Sequence, residues 1–234
     1  MIKNKLAIIV SLILMISGGF IALDLVKAPS LVLKGLIVFL TSLLVFVINR
    51  DGLSKEDTSL LKLIYILIIL ADLSLILFKK AYTGIIIFFF AQCFLIYRNY
   101  RCIYRRYIIR EILDKYNILF VLMLSIMLGL YLIFIRQYTS DLFLFILFVF
   151  YGIIKSSSVF SAILSFRFKV FPKINGLLLL LGIICFYLCD LNVGLSMVLK
   201  EGLISDISSI LIWIFYTPAL SLIALSGYDK AFVI

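Results

Sequence analysis

Two aspartates lie where a carboxylate is costly. Asp72 sits inside the apolar run 60–78, and Asp190 sits inside the apolar run 174–195. Either run is long enough to cross a bilayer. A charged side chain at that depth costs about 2.5 kcal/mol or more, so an acid held there marks a site by default. Two carboxyls sharing one apolar enclosure rarely both carry charge, so one keeps its proton while the other stays ionised. The pair then supplies a proton donor and a proton acceptor in one pocket. The plainer alternative is structural: either acid pairs with Lys155 or Lys27 and only fixes helix packing. Matched depth of the two acids favours chemistry.

The elements that must position them follow from composition. The chain has 234 residues and is 65% hydrophobic, with a mean hydropathy of +1.26. Soluble domains are about 45–50% apolar, and a globule of this size still has to cover itself with polar groups. Lipid is therefore the expected solvent for most side chains. At about 20 residues per span, the apolar runs predict eight helices, over 6–23, 30–48, 60–78, 82–97, 117–135, 142–164, 174–195 and 207–226. The expected fold is all-α: a single transmembrane domain over residues 1–234, built as a polytopic bundle of eight helices around a polar intramembrane cavity. The first apolar run is too long for a signal-peptide core and reads as an uncleaved first helix.

Charge orients this bundle. The net charge is +10, from 22 Lys+Arg against 12 Asp+Glu. The N-terminus, the loops after spans 2, 4 and 6 and the C-terminus share one side. They carry Lys3, Lys5, Arg50, Lys55, Arg98, Arg101, Arg105, Arg106, Arg110, Lys115, Arg167, Lys169, Lys173 and Lys230. The other side carries Lys27, Lys79, Lys80, Arg136 and Lys200. Fourteen against five predicts both termini in the cytoplasm. The positive charge thus serves topology and anionic lipid headgroups, and nucleic acid is not an expected partner. With that orientation Asp72 and Asp190 fall at similar depth in the outward half of the membrane. Gln92, Tyr151 and Tyr216 lie near the same level, Lys27 just above it and Lys155 somewhat deeper. Polar residues from several helices meeting in one layer build a cavity.

Other chemistries are excluded or weak. Histidine is absent, which removes imidazole catalysis and His-based zinc sites. Cys93, Cys102, Cys185 and Cys189 form no C-x-x-C pair and read as buried thiols. No metal and no cofactor is expected. Ser156, Ser157 and Ser158 read as small residues for close helix packing. The Tyr- and Arg-rich stretch 97–116 reads as an amphipathic interfacial helix. Pro218 should bend the last span by freeing the carbonyl of Ile214.

The ordered set of short motifs resembles the YhhN-like lysoplasmalogenase family of eight-helix membrane proteins. A Lys-x-Pro element at Lys27 and Pro29 opens the second span. Ala71-Asp72-Leu73-Ser74-Leu75 is similar to a Gly-Asp-x-x-Leu element in the third. Gly182 to Asp190, GIICFYLCD, is similar to a Gly-x-x-x-Phe-x-x-Ser-Asp element in the seventh, and FYTPALSLIALSG matches the Tyr-containing last helix. The similarity covers nearly the full length. Four positions depart from the family pattern: Gln92 replaces a His, Cys189 a Ser, Ala71 a Gly and Leu220 a Gln.

The resemblance implies hydrolysis of the vinyl ether bond of lysoplasmalogen, giving a fatty aldehyde and a glycerophospho-base. It implies Asp72 and Asp190 as catalytic acid and base, in either order. Lys27 would neutralise the substrate phosphate, with Gln92, Tyr151, Lys155 and Tyr216 completing the binding layer. The partners would be a lipid substrate and anionic headgroups. Two other functions stay open: a lipid-binding protein of the same fold without turnover, and a small proton-coupled transporter.

Overall fold

The computed structural model describes residues 2–25, 31–106, 120, 122, 124, 126, 141–199 and 203–229. Among them are seven α-helices: α1 (Ile2–Leu25), α2 (Leu31–Ile48), α3 (Lys55–Asp72), α4 (Ala81–Arg106), α5 (Leu142–Arg167), α6 (Lys173–Val198) and α7 (Leu203–Leu225). Six of them, α2 to α7, are long and apolar enough to cross a membrane; the apolar part of α1, Ala7–Ala22, is shorter. These six point to a multi-pass integral membrane protein. Their outer faces agree: Val32 and Phe39 of α2 and Phe150 of α5 are well over half exposed and apolar, and a helix apolar all round belongs in lipid or in a large core.

Local chemistry sets the helix ends. Ser54 caps α3, its Oγ accepting from the Asp57 amide at 3.0 Å. Asp141 caps α5, accepting from the amides of Phe143 at 2.9 Å and Leu144 at 3.2 Å. Such caps satisfy donors that a helix start leaves open. Pro172 precedes α6, where its missing N–H costs nothing. At Asp72 α3 widens into one π-helical turn, Leu73–Leu77. Pro218 lies within α7, which continues to Leu225.

Two expectations need revision, and others lie outside the described residues. The fourth span was expected to stop near residue 97, but α4 runs to Arg106. The helix continues because its polar residues have partners inside the bundle: Arg98 and Asn99 are fully buried. The stretch 97–116 is therefore, as far as Arg106, the end of a long helix and not a separate interfacial one. The fifth expected span, 117–135, lies outside the described residues except for positions 120, 122, 124 and 126, which are helical. Phe120 packs its ring against Phe160 of α5, centroids 5.0 Å apart. Lys27 and Pro29 also lie outside the described residues.

Long-range bonds fix how the helices run. Asp57 at the start of α3 meets Arg98 late in α4, so these two are antiparallel. Asn175 at the start of α6 donates to the carbonyls of Ser226 and Tyr228 beyond the end of α7, so α6 and α7 are antiparallel too. Their backbones come close at Gly182, where an added Cβ would lie 3.0 Å from the Ile223 nitrogen and 3.2 Å from the Ala219 oxygen. α4 and α5 run parallel. Tyr82 donates to Asp141 at their starts, and Asn99 Nδ2 donates to Ser161 Oγ at 2.8 Å near their ends. At the Arg98 end of the bundle, the segment after α2 is stitched to the segment after α7. Leu53 N donates to the Gly227 carbonyl at 3.0 Å, and Asp229 N to the Asp51 carbonyl at 2.9 Å.

Candidate functional site

At the end of the bundle where Tyr82 meets Asp141, α3, α4, α5, α6 and α7 enclose a cavity of about 180 Å³. Its walls are largely apolar, from Ile85 and Phe88 of α4, Phe148 of α5, and Ile212 and Trp213 of α7. The polar groups on it are Asp72, Tyr151, Cys189, Asp190 and Tyr216. Two carboxyls separated by half of the chain therefore face one hollow.

Each acid is held by a tyrosine from a different helix. Asp72, 7% exposed, ends the regular part of α3. Tyr216 Oη donates to its Oδ2 at 2.5 Å. The Tyr216 ring is fixed against Phe186 and Trp213, with centroids 5.8 Å and 5.7 Å away. Tyr151 Oη donates to Asp190 Oδ2 at 2.8 Å. The same oxygen receives the ammonium of Lys155 at 2.6 Å. Tyr151 and Lys155 are one helical turn apart on α5 and reach the same carboxylate. The Lys155 ammonium also lies 3.2 Å from the centroid of the Phe186 ring, whose face attracts a cation.

The two acids thus differ in what faces them. Asp190 has a buried cation and a hydroxyl donor on one oxygen. Asp72 has a hydroxyl donor and, among the described residues, no cation. In an apolar enclosure an ion without a counter-ion is expensive, whereas a paired one is tolerated. The arrangement can hold one charged and one proton-bearing carboxyl against a single bound molecule.

The other residues expected at this layer fall in different places. Tyr151 and Tyr216 bind the acids directly. Lys155 is engaged by Asp190 and does not line the cavity. Gln92 is 1% exposed and shares a face of α4 with Ile85 and Phe88, but it lies one turn beyond the lining. Neither its amide nitrogen nor its oxygen has a hydrogen-bond partner among the described residues. Lys27 lies outside the described residues. Among the described residues no group of three or more Cys, Asp or Glu is placed to hold a metal ion.

A second polar cluster escaped the sequence reading. At the opposite end of the bundle Arg98 binds Asp57 through two parallel bonds, Nε to Oδ1 at 2.8 Å and Nη2 to Oδ2 at 2.9 Å. Its third nitrogen, Nη1, donates to Ser226 Oγ at 3.0 Å, and the guanidinium lies over Phe171. All of this is buried. The apolar walls of the cavity were also missed as a set, although Ile85 and Phe88 recur at helical spacing on α4. No family model, no curated protein and no solved structure matches the chain.

Proposed function

We propose that the protein is an integral-membrane hydrolase of lysoplasmalogen type, with Asp72 as proton donor and Asp190 as base. One observation carries this reading: both acids line a single cavity, one with an ammonium on it and one without. The neutral Asp72 carboxyl would protonate the β-carbon of the vinyl ether. The resulting oxocarbenium ion is stabilised by the Asp190 carboxylate. Asp190 then takes a proton from the attacking water, and the hemiacetal collapses to a fatty aldehyde and a free glycerol hydroxyl. Paired carboxyls divide the work in this way in glycoside hydrolysis. Tyr216 and Tyr151 orient the two groups, and Lys155 keeps Asp190 charged.

The same reading takes the bundle as eight spans with both termini cytoplasmic and the cavity within the membrane. The parallel course of α4 and α5 supports it. α4 ends at Arg106 at one end of the bundle, and α5 begins beside Tyr82 at the other. The two helix ends on either side of that stretch therefore lie a helix length of 26 residues apart, close to 40 Å at about 1.5 Å per residue. The contact between the segment after α2 and the segment after α7 agrees with the charge count, which put them on one side.

The test is direct. The purified protein is given lysoplasmalogen and aldehyde is measured. Wild type should release it, and Asp72→Asn and Asp190→Asn should each lose at least about a hundredfold, the usual scale for a positioned acid or base. Equal release by wild type and Asp72→Asn would refute the assignment. A second reading, a lipid-binding protein without turnover, draws on Gln92, whose amide cannot exchange a proton as the family's His can. Bound lysolipid with no aldehyde would favour it.

A further inference from the structure

Asp72 faces two hollows. Besides the cavity shared with Asp190, it lines a separate groove of about 250 Å³ between α2 and the end of α3. On α2 the groove is formed by Leu31, Gly35, Val38 and Phe39, which share one helical face. On α3 and its π-helical turn it is formed by Ile69, Leu73, Ile76 and Leu77. Among the described residues Asp72 is its sole polar one, at the inner wall. Leu31, Phe39, Leu73 and Leu77 are all about half exposed, so the groove opens on the outer, apolar surface of the bundle.

Asp72 and Ile76 are common to both hollows. The partition between them is thus the turn where α3 widens, with Phe78 N donating to the Leu73 carbonyl at 3.1 Å five residues back. Single π turns in α-helices recur at functional sites. Neither hollow alone reaches the roughly 300–1,000 Å³ of an ordinary ligand cleft, but joined past Asp72 and Ile76 they do. A molecule filling both must be hydrocarbon on the α2 side and carry its polar end past the carboxyl. That is the shape of a single-chain amphiphile.

We propose that the α2–α3 groove is the alkyl-chain site of the substrate, open sideways to the lipid, and that Asp72 sits at the junction of chain and polar end. The inference rests on the lipid-directed reading above and names where its substrate lies. Gly35 offers a clean way to fill the groove. An added Cβ there meets nothing within 4 Å, so a side chain enters open space without displacing packing. Gly18 is equally open but exposed on α1, away from the groove, and serves as a control.

The experiment uses the full chain in lipid nanodiscs and a lysophospholipid bearing a photoreactive diazirine near the end of its alkyl chain. Adducts are located by mass spectrometry. They should concentrate on Val38, Phe39, Leu73 and Leu77 and be displaced by unlabelled lysophospholipid. Gly35→Phe should cut labelling about tenfold, since excluding even two methylenes has that effect on affinity, whereas Gly18→Phe should label like wild type. Equal labelling of Gly35→Phe and wild type would overturn the proposal. So would adducts spread evenly over all outer helix faces, which would mean bulk lipid contact only. Because the readout is binding, absence of aldehyde release with groove labelling intact would sink the hydrolase reading alone. Full turnover by Gly35→Phe would sink the groove alone.

Discussion

Removing one partner of the Arg98–Asp57 pair should destabilise the bundle more than any surface change. The guanidinium is fully buried and the Asp57 side chain is 3% exposed. Two parallel charge-assisted bonds of 2.8 and 2.9 Å join them, and a third runs to Ser226. Breaking a buried pair on one side leaves an uncompensated charge and costs about 3–5 kcal/mol. Whole domains are stable by about 5–15 kcal/mol, so either Asp57→Asn or Arg98→Met should remove a large share. The double variant leaves no stranded charge, and its loss should fall at least about 2 kcal/mol short of the sum of the singles. A built-in contrast lies nearby. Arg101 meets Glu56 at 3.1 Å, but Glu56 is 69% exposed, and such pairs contribute about 0–1 kcal/mol. Glu56→Gln should therefore be nearly silent. The assay is denaturant unfolding in mild detergent, followed by fluorescence of the single tryptophan, Trp213, which is buried against Phe20 and Tyr216. The reasoning fails if Asp57→Asn unfolds within about 1 kcal/mol of wild type, or if the double variant loses the full sum.

Three shorter predictions follow from other sites. Tyr216→Phe removes the hydroxyl that holds Asp72 but keeps the ring packed on Phe186 and Trp213. Activity should fall about tenfold, the value of one bond to an ionisable group, with a stability loss of about 1–3 kcal/mol from the acceptor left unpaired. Gly182→Ala should cost about 1–3 kcal/mol, because its Cβ would press on the backbone of Ala219 and Ile223. Gly19→Ala, with nothing within 4 Å, should be neutral or slightly stabilising in the same unfolding assay. The third concerns Asp141, at the exposed start of α5. Its carboxyl is held below the ordinary carboxylate range by the Tyr82 hydroxyl first, and then by the Leu144 and Phe143 amides. A depressed acid stabilises the fold above its unfolded value, and the contribution fades as pH falls through its folded one. Melting temperature should be level near neutral pH and drop in strong acid, and Asp141→Asn should remove that part of the drop.

Much of the scaffold was readable before any coordinates, for a physical reason. Lipid demands runs of about 20 apolar residues, and few other constraints produce them. The same demand made Asp72, Asp190, Tyr151 and Tyr216 conspicuous, because polar groups in such runs need partners. Their partners were harder to read. Lys155 could have matched either acid, and nothing in the one-dimensional pattern chooses Asp190. Arg98 was misread because a basic residue at the end of an apolar run ordinarily marks the membrane boundary. Its burial depends on Asp57 and Ser226, which are remote in sequence. That error also shortened α4. The π-helical turn after Asp72 left no trace in the residue types, since Leu73 to Leu77 would suit a regular helix equally well. The groove beside it was therefore invisible.

The stitch between residues 51–53 and 227–229 bears on how the chain is made. The segment leaving α2 is synthesised well before its backbone partners, which lie beyond α7. Until then Leu53 N and the Asp51 carbonyl lack those partners, Arg98 has Asp57 but not Ser226, and Asn175 has neither of its carbonyls. Contacts of such sequence separation form late and slowly. Closure of this end of the bundle thus waits until α7 and the residues after it have been made, and a nascent chain stalled before residue 226 would present an unfinished seam to the cell's quality control.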